Sequence, residues 1–177
     1  MKITTEEIIS KLKILLLDVD GILTSGLVNI MDDGREIYTF NVYDGYGIKL
    51  WRRAGFKVGF VTGRCADAVK HRADKLGVDF LCRGASDKVS ICEEIVSNEG
   101  LTMQQVSFMG DDLQDLPIMK RVGFPITVAN ARDEVKNISR LVTSSKGGDG
   151  AVREAIEFIL KEKGLWDEIV SQDRILS

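Results

Sequence analysis

Residues 13–26 read KILLLDVDGILTSG. The apolar run Ile14-Leu15-Leu16-Leu17 stops abruptly at Asp18-Val19-Asp20-Gly21. A short run that is apolar at every position and closed by a turn signal predicts a strand buried on both faces, as in a parallel sheet. Asp18 and Asp20 then stand just past its C-terminal end, at the rim where open α/β sheets bind ligands. Two carboxylates so close repel each other and bear a desolvation cost. A bound divalent cation relieves both, and Mg²⁺ prefers such hard oxygen ligands. A plain acidic turn is the competing reading, and the rest of the chain decides between them.

Bulk properties narrow the classes. The chain has 177 residues, 44% hydrophobic and 29% charged, with a net charge of −3. A single globular domain over residues 1–177 is expected. The lack of a long basic run argues against nucleic acid, and no apolar run approaches the ~18 residues of a membrane span. Acidic residues in MKITTEEIISKLK stand where a signal peptide carries its apolar core, so a cytoplasmic location is expected. Cys65, Cys82 and Cys92 have the spacing of neither a disulfide framework nor a zinc site. A cysteine-phosphatase loop fails as well, because the position six residues past Cys65 is His71, which reads as part of a solvated helix face.

Along the chain, Thr4 and Glu7 have capping-box spacing for a helix near 4–12. Leu27–Met31 and Glu36–Val42 alternate around Asp32-Asp33-Gly34, which predicts a β-hairpin flap over about 27–42. The span from Gly21 to Asp44 is too short for a separate cap domain. A helix is expected after Asp44-Gly45, to Ala54, then a strand at 57–61 ending in Thr62-Gly63-Arg64. A helix over 66–76 closes at Gly77, a strand covers 79–81, and Asp87-Lys88 opens a helix to about 98. The strand at 106–109 ends in Gly110-Asp111-Asp112-Leu113-Gln114-Asp115, followed by a helix to Val122. A strand near 124–128, a helix at 132–138, an edge strand at 141–143 and a helix to Lys163 complete the pattern. The tail, about 164–177, mixes apolar and charged residues and gives no clear signal. Alternating strands and helices at this spacing predict right-handed crossovers and a doubly wound, three-layer α/β/α sandwich with a mostly parallel, Rossmann-like sheet.

In such a sheet all C-terminal strand ends share one edge. Asp18/Asp20, Thr62/Arg64, Lys88 and Asp111/Asp112/Asp115 therefore converge. Acidic pairs from two strands supply oxygen ligands for Mg²⁺, while Thr62 and Lys88 supply a hydroxyl and a positive charge for phosphate oxygens. The chemistry that fits is attack of a carboxylate on phosphorus, with a second carboxyl moving the proton. No phosphate-binding GxxxxGK[ST] loop, EF-hand loop or complete dinucleotide fingerprint is present.

Asp18-x-Asp20-Gly21, Thr62-Gly63-Arg64, Lys88 and Gly110-Asp111-Asp112-x-x-Asp115 resemble the four motifs of the haloacid dehalogenase superfamily. The hairpin, Phe40-Asn41-Val42-x-Asp44-Gly45, Arg72 after Gly63-Arg64, and Gly147-Gly148-x-Gly150-Ala151-x-Arg153-Glu154 resemble its capless, tetrameric branch. The resemblance implies that Asp18 is nucleophile and metal ligand, and that Asp20 is general acid/base with its carbonyl on Mg²⁺. Asp111 is then a direct ligand, Asp112 and Asp115 support the site, and Thr62 and Lys88 hold the phosphoryl group. It also implies a homotetramer whose active sites are completed by a neighbouring subunit. The resemblance further implies as substrate a phosphorylated ulosonic acid, a small sugar acid of lipopolysaccharide precursor synthesis. Thr24, Asp44, Gly63, Arg64 and Arg72 are the candidate substrate-binding residues, Arg64 and Arg72 because a guanidinium fork matches a carboxylate. Arg64 favours an eight-carbon acid over nine-carbon, sialic-acid-type relatives, which carry Glu there. A phospho-accepting signalling module is the alternative of another class, and Asp20 argues against it, because such modules need no acid/base beside the accepting Asp.

Overall fold

The computed structural model describes residues 4–175, with side chains to residue 172. Its helices are α1 (Thr5–Lys11), α2 (Val42–Arg53), α3 (Asp67–Leu76), α4 (Lys88–Asn98), α5 (Leu116–Met119), α6 (Asp133–Ile138), α7 (Ala151–Glu162) and α8 (Trp166–Ile175). Six strands, β1 (Ile14–Leu17), β4 (Lys57–Thr62), β5 (Phe80–Arg83), β6 (Val106–Met109), β7 (Phe124–Thr127) and β8 (Leu141–Val142), form one parallel sheet in the order β5-β4-β1-β6-β7-β8. The remaining two, β2 (Asn29–Ile30) and β3 (Glu36–Ile37), pair only with each other.

The central strand is the expected one. Ile14 to Leu17 are fully buried, and they alternate between two cores. Leu15 and Leu17 belong to a core that includes Ile48 of α2, Val69 of α3 and Ile156 of α7. Ile14 and Leu16 belong to a second core with Ile95 of α4, Ile118 of α5 and Val135 of α6. Helices therefore cover both faces, which explains a strand that is apolar at every position. The chain winds outward from β1 through β4 to β5, then returns to begin again at β6. The crevice between β1 and β6 is thus the switch point, where loops from adjacent strands diverge and leave room for a ligand.

Local deviations from expectation have identifiable causes. Helix α2 begins at Val42 rather than after Gly45, because the Asn41 side chain accepts from the Tyr43 and Asp44 amides. Gly45 and Gly47 lie inside α2, where a Cβ would press on Arg72 and on the backbone of Arg153 in α7. Close packing of neighbours, not a helix boundary, requires these glycines. The segment after Gly110 is a single 3-10 turn followed by the short α5, and it does not run as a helix to Val122. Pro117 in its first turn cannot donate a backbone hydrogen bond. The hairpin ladder is only two residues per strand and solvent-exposed, because no third strand among the described residues pairs with it. The tail at 164–177, unreadable in the sequence, includes α8, which buries Ile169 against the first core.

Phe60, fully buried in the centre of β4, tests this packing. Phe60→Ala should lower unfolding free energy by about 3–5 kcal/mol in urea titrations, and a loss within about 0.5 kcal/mol, the ordinary range for surface positions, would contradict the placement.

Candidate active site

Asp18 continues the β1 ladder, its amide donating to the Met109 carbonyl at 3.0 Å, so its side chain leaves the sheet edge at the switch point. Lys88 opens α4, with Asp87 capping the helix by accepting from the Val89 and Ser90 amides. The Lys88 Nζ donates to Asp18 Oδ1 and to Asp115 Oδ1, both at 2.7 Å. All three side chains are buried. Burial opposes the Lys88 charge, yet the two carboxylates outweigh it and hold its pKa above the usual lysine value. The second Asp115 oxygen accepts from the amides of Asp111 (3.1 Å) and Asp112 (3.4 Å). Asp115 is thereby saturated, and it fixes the turn that carries Asp111.

The remaining oxygens behave differently. Asp18 Oδ2 and Asp111 Oδ1 are buried and, among the described residues, without a hydrogen-bond partner. Burial raises Asp18 to a pKa of about 6, partly offset by Lys88. Burial, followed by the charge of Asp18, raises Asp111 to about 7. Ligand atoms of Asp18, Asp111 and Asp115 lie within 4.8 Å of one another. Two orphaned, desolvated carboxylate oxygens from a cluster this tight fit a hard divalent cation. Asp115, already saturated, is better suited to orienting Lys88 than to direct ligation.

Asp20 is half-buried, and desolvation raises its pKa although Arg64 opposes the shift. Thr62 Oγ1 donates to Asp20 Oδ2 at 3.5 Å and accepts from the Arg64 amide at 3.1 Å. Thr24 Oγ1 accepts from the amides of Gly21 and Gly26, both at 3.3 Å, and so closes the loop after β1. Gly21 has φ +93°, and a Cβ there would collide with the Asp111 carboxylate. The close approach of β1 and β6 loops therefore demands glycine. Gly147 has the same constraint, since a Cβ would land on the Gly21 carbonyl. Asp112, exposed, caps the turn through the Leu113 amide.

The candidate substrate-binding residues divide. Thr24 and Arg64 line a cleft shared with Asp20, Glu36 and Tyr38. Gly63 lies in the turn that follows β4, where the Ala85 amide donates to the Thr62 carbonyl. Asp44 is buried between helices and accepts from the amides of Arg153 (2.9 Å) and Gly150 (3.3 Å), so it caps α7 from outside. Arg72 donates to the Asn41 carbonyl at 2.9 Å and lies over the Phe40 ring. Arg64 lies over Tyr38, which stacks on Phe40. Glu36, Tyr38 and Phe40 thus present one side of the flap to two arginines. Glu36 and Tyr38 were not apparent as site residues, although their two-residue spacing carried the signal.

The described geometry gathers Asp18, Lys88, Asp111 and Asp115 at the switch point of a doubly wound sheet. Residues 80–156 match a family model described as haloacid dehalogenase-like hydrolase. The 3-deoxy-D-manno-octulosonate 8-phosphate phosphatase KdsC of Escherichia coli K12 is 37% identical over 161 residues, covering 91% of this chain and 86% of that protein. The phosphatase of the same name from Yersinia pestis is 38% identical, covering 85% of this chain and 81% of that protein. The crystal structure of the Moraxella catarrhalis phosphatase, in complex with magnesium, phosphate and 3-deoxy-D-manno-octulosonate (KDO), superposes with a TM-score of 0.91 at 32% identity. It covers 94% of this chain and 96% of that one. The chain belongs to the haloacid dehalogenase-like hydrolases, in the family of the 3-deoxy-D-manno-octulosonate 8-phosphate phosphatases.

The raised carboxyls have a consequence for stability. Asp18 and Asp111 bind protons more tightly folded than unfolded, so their contribution is full below the ordinary value of 3.8 and is lost as pH rises towards about 6 and about 7. In metal-free protein, Asp111→Asn should therefore raise the melting temperature more at pH 8 than at pH 4. An equal shift at both values would contradict the desolvated pair.

Proposed function

We propose that this chain is a Mg²⁺-dependent phosphatase hydrolysing 3-deoxy-D-manno-octulosonate 8-phosphate to the free sugar acid and phosphate through an aspartyl-phosphate, the acyl phosphate of Asp18. The observation that carries the reading is the divided Asp18 carboxylate, one oxygen held by Lys88 and the other buried and unpartnered beside Asp111. A nucleophile requires such an oriented, poorly solvated oxygen.

A carboxylate oxygen of Asp18 forms a bond to phosphorus as the bond to the sugar oxygen breaks. The leaving oxygen takes a proton from Asp20, whose desolvation favours the protonated acid. Asp20 then removes a proton from water. The water oxygen attacks phosphorus, the bond to Asp18 breaks, and phosphate leaves. Lys88 stays charged throughout and, with Thr62, holds the phosphoryl oxygens. Asp18, Asp111 and the Asp20 carbonyl would hold Mg²⁺, which offsets repulsion between the anionic nucleophile and the phosphate. Asp115 keeps Lys88 in place, and Asp112 supports the turn.

The proposal includes a cytoplasmic homotetramer in which a neighbouring subunit completes each active site. Leu27, Val28, Ile30 and Ile37 are exposed together on the flap, an apolar surface suited to a second copy of the chain. Sedimentation should show a tetramer, and Ile30→Asp should shift it to smaller species. A monomeric native protein would contradict this part.

The substrate test is a panel of phosphorylated eight- and nine-carbon sugar acids and simple phosphate esters, assayed with Mg²⁺. The octulosonate 8-phosphate should give the highest kcat/KM, and equal turnover of every ester would overturn the sugar-acid reading. Asp18→Asn should lower kcat by about 10³-fold or more while leaving the melting temperature of the Mg²⁺-bound fold measurable, in keeping with the loss of a covalent nucleophile.

A further inference from the structure

The flap carries an anion that meets the one cationic side chain lining the cleft among the described residues. Arg64 lies in the turn after β4, with Nη1 4.0 Å from Asp20 Oδ1. Its Nη2 forms an ion pair with Glu36 of β3, a residue separated from it by 28 positions in sequence. The Tyr38 ring lies 6.0 Å from the guanidinium and limits approach to one face. The end-on Nη1/Nη2 edge, the edge a carboxylate grips with both oxygens, is therefore already half taken.

We propose that Glu36 is a specificity-determining residue, because its carboxylate competes with the substrate's own carboxylate for the Arg64 guanidinium. The inference rests on the reading of the substrate as a phosphorylated sugar acid. Arg64 and Glu36 are each about one-third exposed, at 38% and 33% of the side chain. Pairs of that kind are weak and exchange readily. A carboxylate tethered to a phosphate already bound competes at high effective concentration and wins the exchange. An ester lacking a carboxylate leaves Glu36 paired with Arg64 and gains nothing from the guanidinium. Glu36 thus sets how much of the Arg64 contact the substrate's carboxylate gains over an ester that has none.

Glu36→Gln removes the charge and keeps the shape. In the Mg²⁺-loaded, full-length enzyme, the ratio of KM for octulosonate 8-phosphate to KM for p-nitrophenyl phosphate should fall by about two- to fivefold, the span of an exposed ion pair. In an Arg64→Ala background the same substitution should no longer move that ratio. A rise in the ratio on Glu36→Gln, or a fall that persists without Arg64, would overturn the competition. The carboxyl-reduced alcohol of the substrate separates the two layers of the argument. If the native enzyme turns it over as well as the acid, the sugar-acid reading fails. If the native enzyme discriminates and Glu36→Gln leaves the ratio unchanged, only the role of Glu36 fails.

Discussion

A lysine ammonium buried between two buried carboxylates is the interaction on which this structure depends. Lys88, Asp18 and Asp115 come from α4, the end of β1 and the turn after β6. A single buried charge among them would be prohibitive, and removing one partner from such a cluster costs about 3–5 kcal/mol. The cluster therefore forms only if β1 and β6 are neighbours and α4 begins beneath them. The hydrophobic layers supply the stability, while the ions specify the geometry. The cluster also leaves one Asp18 oxygen unsatisfied, and that residual cost is what a cation and a phosphoryl group can relieve.

Around this centre, tight backbone packing substitutes for long side chains. Gly21 admits the Asp111 carboxylate, and Gly147 admits the Gly21 carbonyl. The Gly148 amide donates to the Ile22 carbonyl at 2.9 Å, tying the loop before α7 to the nucleophile loop. Asp44 holds that same loop through the Gly150 amide. A chain of contacts thus runs from α2 through the glycine loop and Gly21 to the Asp111 carboxylate. Asp44 and Arg72 act as struts in this chain, at a distance from the cleft lined by Arg64.

Much of the sheet and its polar edge was legible in the sequence, because each strand end carried its own chemical punctuation. The continuous apolar run at 14–17 required burial on both faces, and the paired acids after it required compensation. What stayed hidden were features decided by distant parts of the chain. Asp44-Gly45 looked like a helix boundary, yet Gly45 is small because Arg72 passes it. Arg72 was read as a substrate-binding candidate, and the fold also gives its guanidinium the Asn41 carbonyl and the Phe40 ring. The hairpin was expected to have longer strands, but alternation alone cannot supply the partner strand that a longer ladder needs. Glu36 was invisible as a site residue because its partner, Arg64, is brought to it only by the fold.

The division of labour between Asp18 and Asp20 is the centre of the functional account, and rapid-quench mass spectrometry tests it most directly. With Asp20→Asn, octulosonate 8-phosphate and Mg²⁺, loss of the proton acceptor should slow hydrolysis and leave a phosphoryl group on the peptide that contains Asp18. An unmodified Asp18 peptide throughout turnover, or phosphorylation at another residue, would contradict the account.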